Sequence, residues 1–253
     1  MPAAPDLSNL LVLVINLDRS PERLARIGAD LDALGLQWQR LPAADGRQFD
    51  LHDMRWLDTA AFRRRHGKHP MPGELGCYLS HVWAMQALCD SGQPWALVLE
   101  DDAHLSPALP SVLAALAREA AHWDLTKLSG VHRGSPRTLR RLDDAHRLCV
   151  TLSSYTGSSA YVVQRPAAEV YARGLLPMKV PFDHEFDRGW HWGLKVRAVF
   201  PAPCLHDQGN TSTIEKPRGD QKLRGLARWP AYGWRLRNAL ARLAHGLGSA
   251  LRA

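Results

Sequence analysis

Leu10-Leu-Val-Leu-Val-Ile15, followed at once by Asn16-Leu-Asp-Arg-Ser-Pro-Glu-Arg23, is the stretch that decides the fold class. Six consecutive apolar residues, three of them β-branched, predict a strand buried on both faces and paired in parallel. Ser20 is placed to cap a helix and Pro21 to open it. Leu24, Ile27, Leu31 and Leu34 then recur at helical spacing, and Gly35 can end the run. Strand, loop and helix in this order open an α/β fold.

Working outward, Glu74 to Asp90 reads as a helix, with Leu75, Leu79, Val82 and Met85 on one side and Gly92 just past the end. Trp95-Ala-Leu-Val-Leu99 reads as a second buried strand, stopped by Glu100-Asp-Asp102. Ser106-Pro107 can start a helix reaching about Ala121. Leu125–Leu128, Leu148–Leu152, Ala160–Val163 and Leu194–Phe200 are further strands, and Arg165-Pro166 opens a short helix.

The chain has 253 residues, 45% of them hydrophobic, which is enough to build a sizeable core and excludes pervasive disorder. The longest apolar run is far short of the ~18 residues that a spanning helix needs. It follows Asp6 and lacks a basic leader, so no standard signal peptide is expected. Cys77, Cys89, Cys149 and Cys204 form neither a CxxC motif nor a disulfide framework. A reduced, cytoplasmic protein is expected. Charge is concentrated: residues 216–253 hold nine Lys/Arg against the single acid Asp220, while the preceding 215 residues hold 23 Lys/Arg and 24 acids. With a neutral body, no nucleic-acid partner is expected.

The acidic triplet carries the strongest chemical signal. Three adjacent acids after a buried strand repel one another, which raises pKa values or recruits a cation. In open α/β sheets ligands sit beyond the carboxyl ends of strands. Hard oxygen ligands there suit Mg²⁺ or Mn²⁺ shared with substrate phosphates. A solvated acidic turn is the competing reading.

Five stretches taken together resemble glycosyltransferase family 25, the bacterial lipopolysaccharide and lipooligosaccharide galactosyltransferases and their relatives. These are Val14–Arg23, Gly73-Glu-Leu-Gly-Cys-Tyr-Leu-Ser-His81, Leu99–Asp102, Gly157-Ser-Ser-Ala-Tyr161 and Pro181-Phe-Asp183. They occur in family order and span roughly residues 10–215. The resemblance implies a GT-A-type, Rossmann-like nucleotide-sugar fold, a UDP-sugar donor, a divalent cation, and inversion at the anomeric carbon. It makes Glu100 and Asp102, two apart like the DxD acids of that fold, the expected metal ligands. Asp101 is a further ligand or a ribose contact. His206, just past the last strand, would be a late ligand, or else a structural histidine. Asp207 and Ser212-Thr-Ile214 resemble the family's closing segment.

Other residues take roles around these. Asn16, Arg19 and Arg23 come after the first strand, where they can meet the nucleotide. The glycines Gly73 and Gly76 allow backbone to approach a ligand, with Glu74, Ser80 and His81 touching donor or acceptor; Ser80 and His81 fit helix-interior packing as well. Lys127 would offset phosphate charge or form a salt bridge. Gly157 and Ser158 form a turn beside the sugar. Asp183 matches the family's Pro-x-Asp position and is the expected general base, an N-cap role being its rival. Asp187 is the second candidate.

The C-terminal region, 216–253, is expected as a basic amphipathic helical tail on a transferase domain of residues 1–215. Leu236, Leu240, Leu243, Leu247 and Leu251 share one stripe, with Arg235, Arg237 and Arg242 off it. That pattern suits an anionic membrane surface, or a helix packed on the domain or a second copy. The expected enzyme moves a hexose, galactose first and glucose second, from a UDP-sugar onto a lipid-linked saccharide, peripheral to the inner face of the inner membrane. A metal-dependent phosphodiesterase and a non-catalytic basic adaptor are the rivals.

Overall fold

The computed structural model describes residues 7–206 and 221–251. The opening run forms β1 (Leu10–Asn16), in the middle of a parallel trio. On one side it pairs with β2 (Gln39–Pro42), and on the other with β3 (Trp95–Glu100). A parallel pair needs a crossover, and α1 (Pro21–Ala33) supplies the first of them. The crossover back to β3 runs through α2 (Thr59–His66) and the long α3 (Pro72–Ser91).

Beyond β3 the sheet changes sense. Its strands include β5 (Leu125–Lys127), β6 (Pro136–Arg141), β7 (Arg147–Thr151), β8 (Ala160–Gln164) and β9 (Val196–Phe200), and the full order is β2-β1-β3-β8-β5-β9-β7-β6. Strand β8 runs antiparallel to β3, with Ala160 opposite Leu99. The segment entering β8, Gly157–Ser159, therefore lies at the same end as the acids leaving β3. A small ribbon completes this end: β4 (Ala103–Leu105) pairs with β10 (Cys204–His206).

Both sheet faces are covered, which is why β1 over Leu10–Ile15 and β3 over Trp95–Leu99 are apolar at successive rather than alternate positions. Leu13, Ile15, Ala96 and Val98 point to the side of α3 and of α5 (Arg165–Gly174). Val12, Val14, Leu97 and Leu99 point to the side of α1 and of α4 (Leu109–Arg118). The expected α/β fold with a C-terminal helix is what the chain adopts. The expected helix to Ala121 stops at Arg118 and continues as a 3₁₀ turn, Ala120–His122. Ser20 does stand before α1, but its hydroxyl makes no capping hydrogen bond.

Two short helices come after α5: α6 (Phe182–Glu185) and α7 (Gly189–Trp192). The last element, α8 (Trp229–Ala250), is docked on the body through small residues, Ala231, Gly246 and Ser249, and through polar contacts. The boundary expected at 215/216, with Lys216, Arg218 and Asp220, lies outside the described residues. The guanidinium of Arg242 reaches the carboxylate of Asp187 at 2.5 Å and lies over Trp190, 5.1 Å from the ring centroid. Arg235 donates to the His66 carbonyl at 2.9 Å, and Arg188 to Asn238 Oδ1 at 2.9 Å. Gly246 lies against Leu152, where a Cβ would come within 2.5 Å of the leucine side chain.

Asp187 is thus a structural partner of α8, 4% exposed, and not a base in a cleft. Removing one partner of such a pair leaves a buried charge. Arg242→Leu is expected to destabilise by about 3–5 kcal/mol. At about 2–4 °C per kcal/mol for a chain of this size, the melting midpoint should drop by ~10 °C. Arg242→Leu/Asp187→Leu should recover most of it in a thermal melt.

Candidate active site

Two cavities open at the carboxyl ends of the parallel strands and meet at the acidic triplet. The first is built from the segments that leave the three strands: Leu17 and Arg19 after β1, Ala43–Arg47 after β2, Glu100 and Asp101 at the end of β3. The start of α3 closes it with Gly73, Gly76, Cys77, Ser80 and His81. The second shares Glu100 and Asp101 and adds Asp102. Its walls are Arg23, His66, Lys68 and Glu74 on one side, and Gly157–Ser159 and Pro181–His184 on the other.

The triplet's carboxylates diverge because each has its own partners. Asp101 is gripped from the α1 side: Asn16 donates to it at 2.7 Å and Arg23 lies 3.3 Å away. The same Asn16 amide also donates to the Ser20 carbonyl at 2.8 Å, and its Oδ1 accepts from Arg40 at 3.1 Å. Buried in this way, Asn16 lines neither cavity; it fixes the loop and holds Asp101. Glu100 points the other way, accepting from Ser158 Oγ at 2.6 Å and meeting His81 Nε2 at 3.2 Å. Asp102 faces the second cavity.

His81 is positioned on three sides. Its Nδ1 lies 3.0 Å from the Tyr161 hydroxyl, and its ring stacks on Phe182 at 4.2 Å with the planes 4° apart. Next in the chain to Phe182 is Asp183, whose carboxylate accepts the Gly157 amide at 3.3 Å. Gly157 has φ of 102°, a conformation that favours glycine. The residue capping α6 is Pro181 and no side chain caps that helix, so Asp183 faces the second cavity instead of serving as an N-cap.

Ser80 is committed locally: it donates to the Gly76 carbonyl at 2.7 Å and accepts the Ala44 amide at 2.9 Å. Gly76 packs against the 44–46 backbone, since a Cβ there would lie 2.6 Å from the Ala44 carbonyl. Gly73 lines the first cavity, and Arg19 reaches Asp45 at 2.8 Å within it. Glu74 accepts the Met71 amide at 3.0 Å at the head of α3; burial pushes its carboxyl up, and Asp183 adds to the effect. Lys127 does not reach the cleft. It is 1% exposed, its Nζ donates to the Tyr155 carbonyl, and burial pulls its pKa down.

The cleft's donors fit a hard divalent cation of the kind shared with a substrate. Such ions take one or two carboxylates and complete their shell with phosphate and water. Glu100 and Asp102 offer carboxylates that line the second cavity, while both oxygens of Asp101 are held by Asn16 and Arg23. The register sets His206 opposite Ala103, next to Asp102 in the chain. Asp207 and Ser212–Ile214 lie outside the described residues. One ligand atom each of Cys77, His81 and Glu100 also falls within 4.8 Å of the others, a softer set.

Several cleft residues carry no pattern in the sequence. Asp45 and Arg47 sit on the loop after β2, joined at 2.5 Å, and the arginine holds the Asp45 carboxyl far below the usual range. His66, 6% exposed, lines the second cavity with Nε2 lacking a hydrogen-bond partner among the described residues. Small residues and a glycine in Ala43-Ala-Asp-Gly-Arg47 are the signal that could have marked the first loop.

A model of glycosyltransferase family 25 (LPS biosynthesis protein) matches residues 10–184. The chain belongs to glycosyltransferase family 25. A family 25 member of Anopheles gambiae is 28% identical over 231 residues, covering 81% of this chain and 38% of the relative. Procollagen galactosyltransferase 1 of Danio rerio is 24% identical over 180 residues, 68% of this chain and 30% of the relative. Inactive glycosyltransferase 25 family member 3 of Mus musculus is 28% identical over 213 residues, 77% and 36%. This family 25 chain therefore spans well under half the length of these relatives. Among solved structures it is similar to a glycosyltransferase involved in the glycosylation of the major capsid of PBCV-1, with 11% identity, a TM-score of 0.45, and coverage of 80% of this chain and 94% of that one.

Burial pulls the His66 imidazole down to about 3, with His184 and Lys68 adding to the effect. The unfolded chain takes up a proton near pH 6.5 that the folded chain refuses. Stability from this group is complete above pH 6.5 and falls as pH drops toward 3. The slope approaches roughly 1.4 kcal/mol per pH unit. Urea titrations across that range should show a shallower acid loss for His66→Gln than for the parent chain.

Proposed function

We propose that this chain transfers a hexose, with galactose the first choice of donor sugar, from a UDP-sugar to a hydroxyl of a saccharide acceptor, with inversion. The observation that carries this reading is the pair of cavities meeting at Glu100 and Asp101, with Asp183 in the second alone. One space fits a donor, the other an acceptor, and the acids stand where the two would join.

The first cavity takes the nucleotide. Its floor is the carboxyl end of three parallel strands, where nucleotides bind in such sheets. Arg19 and Arg47, both paired with Asp45, place guanidinium donors on it, and the close approach of Gly76 to residues 44–46 holds that loop in place. Glu100 and Asp102 would hold Mn²⁺ or Mg²⁺, with His206 as a further ligand. Bound there, the metal ion would stabilise charge on the departing diphosphate.

Asp183 takes the proton from the acceptor hydroxyl. That oxygen forms its bond to the anomeric carbon as the bond from that carbon to the diphosphate oxygen breaks. Attack comes from the second cavity, opposite the leaving group, so configuration inverts. The Gly157 amide keeps the carboxylate aimed at the acceptor side. Inactive relatives in the family make turnover, rather than donor binding, the measurement that matters.

Galactose is favoured by the name of the Danio rerio relative and glucose is the alternative donor sugar. A lipid-linked saccharide, as the family description suggests, is the proposed acceptor class. Asp183→Asn should lower transfer by ~10²–10⁴-fold while donor binding survives. Asp102→Asn should abolish Mn²⁺-dependent UDP-galactose binding in a folded protein. Product analysis with UDP-galactose and UDP-glucose, with and without Mn²⁺, decides the matter. UDP release with no sugar transferred to any saccharide would overturn the transferase reading in favour of a phosphodiesterase.

A further inference from the structure

The side of α8 that faces away from the body is apolar along its whole length. At 100° per residue, Trp229, Tyr232, Leu236, Leu240, Leu243 and Leu247 fall within an arc of about 100°, and Leu251 continues it. The leucines of this stripe are between 41% and 88% exposed, Trp229 68% and Tyr232 50%. Opposite them, Ala231, Asn238, Arg242, Gly246 and Ser249 form the docked side. The helix is thus held through a face of small and polar residues and presents its large apolar side chains outward, the reverse of ordinary helix packing. At about 1.5 Å per residue the stripe is roughly 33 Å long.

Charge selects the occupant. Residues 221–251 contain Lys222, Arg224, Arg228, Arg235, Arg237 and Arg242 and no acid. Arg242 is paired with Asp187 and Arg235 is held by the His66 carbonyl, but two copies packed stripe to stripe would still bring Lys222, Arg224 and Arg237 of each copy together with no acid in residues 221–251 to offset them. An anionic lipid surface offsets them, and aromatic residues at one end of such a stripe suit the headgroup level. No helix of the described residues is long and apolar enough to cross a membrane, so the stripe would lie along the surface.

We infer that α8 is a built-in docking helix for an anionic lipid bilayer, lying parallel to it with the leucine stripe in the headgroup region. Arg242 is not available to lipid, being paired with Asp187, and Arg235 is tied to the His66 carbonyl. Arg237 beside the stripe, and Lys222 and Arg224 on the approach to the helix, are the exposed cations that remain. The amino-terminal approach to this helix is tied to the rim of the second cavity. His69 donates its amide to the Gln221 carbonyl at 2.9 Å, and Leu223 to that of Gly67 at 3.0 Å. Docking would therefore bring the proposed acceptor side of the cleft next to the lipid surface.

The test uses the full chain and vesicles of phosphatidylcholine alone or with one-third phosphatidylglycerol. Sedimentation should show binding to the anionic vesicles only, weakened at least tenfold between ~0.1 and ~0.5 M salt as screening shortens from about 10 Å. Leu236→Ser, Leu240→Ser, Leu243→Ser and Leu247→Ser combined should abolish binding while the melting midpoint stays unchanged, because these side chains touch water. Lys222→Glu/Arg224→Glu/Arg237→Glu tests the charge separately and should reduce binding at least tenfold. Equal vesicle binding by either folded variant and the parent overturns the proposal. So does a parent chain that sediments as a dimer, ignores vesicles and becomes monomeric on the leucine substitutions, since a second copy then covers the stripe. Because binding is read without turnover, its failure leaves the transferase reading standing.

Discussion

Carboxylates crowded at the end of a buried strand must be compensated, and the architecture around the cleft follows from how this chain does it. Glu100, Asp101 and Asp102 leave β3 together, and no single partner serves all three. Asp101 is answered from the α1 side by Asn16 and Arg23. Glu100 is answered from α3 and from the entry to β8 by His81 and Ser158. Four separate pieces of chain are thereby drawn to one point. The cavities on either side are the space left between those pieces once the charges have been met.

The antiparallel entry of β8 matters for the same reason. Had β8 run parallel to β3, Gly157–Ser159 would sit at the far end of the sheet and could not reach Glu100. Because it runs the other way, the backbone hydrogen bond from Glu100 to the Ser159 carbonyl, at 2.8 Å, sews the acidic end of one strand to the start of the next. The Gly157 amide is then free to hold Asp183. A reversal in strand direction thus unites groups separated by 83 positions in the chain.

Much of this is legible in the sequence wherever burial leaves a periodic trace. The strands β1 and β3 and the helices α1 and α3 are covered by core on every side that matters, and their apolar runs reflect it. Strand β2, Gln39-Arg-Leu-Pro42, has no such run, because among the described residues it pairs with β1 alone and its side chains are half-buried or exposed. Edge strand β6 is hidden for the same reason. Lys127 reads as a cation at a strand end, yet its partner is a backbone carbonyl 28 residues away, which no local pattern encodes. Asp187 reads as a base because it lies close after Asp183; its true partner, Arg242, arrives from the far end of the chain. For α8 the leucine stripe is visible, but a helical wheel cannot tell which side faces inward. Asp187, Arg188 and the His66 carbonyl settle that.

The face-to-face contact of His81 with Phe182 has an evolutionary consequence. The imidazole is bound to Glu100, and the phenyl ring precedes Asp183, so two rings and no loop set the span between the donor side and the acceptor side. Of the rim, Lys68 belongs to a different part of the chain and takes no part in that stack, whereas His66 packs edge-on against His184 beside Asp183. A descendant of this protein can therefore exchange rim residues such as Lys68 for a new acceptor without moving the reacting groups. Substitutions at the two stacked rings would shift both partners at once, so diversification within this lineage should accumulate at the rim and spare the stack.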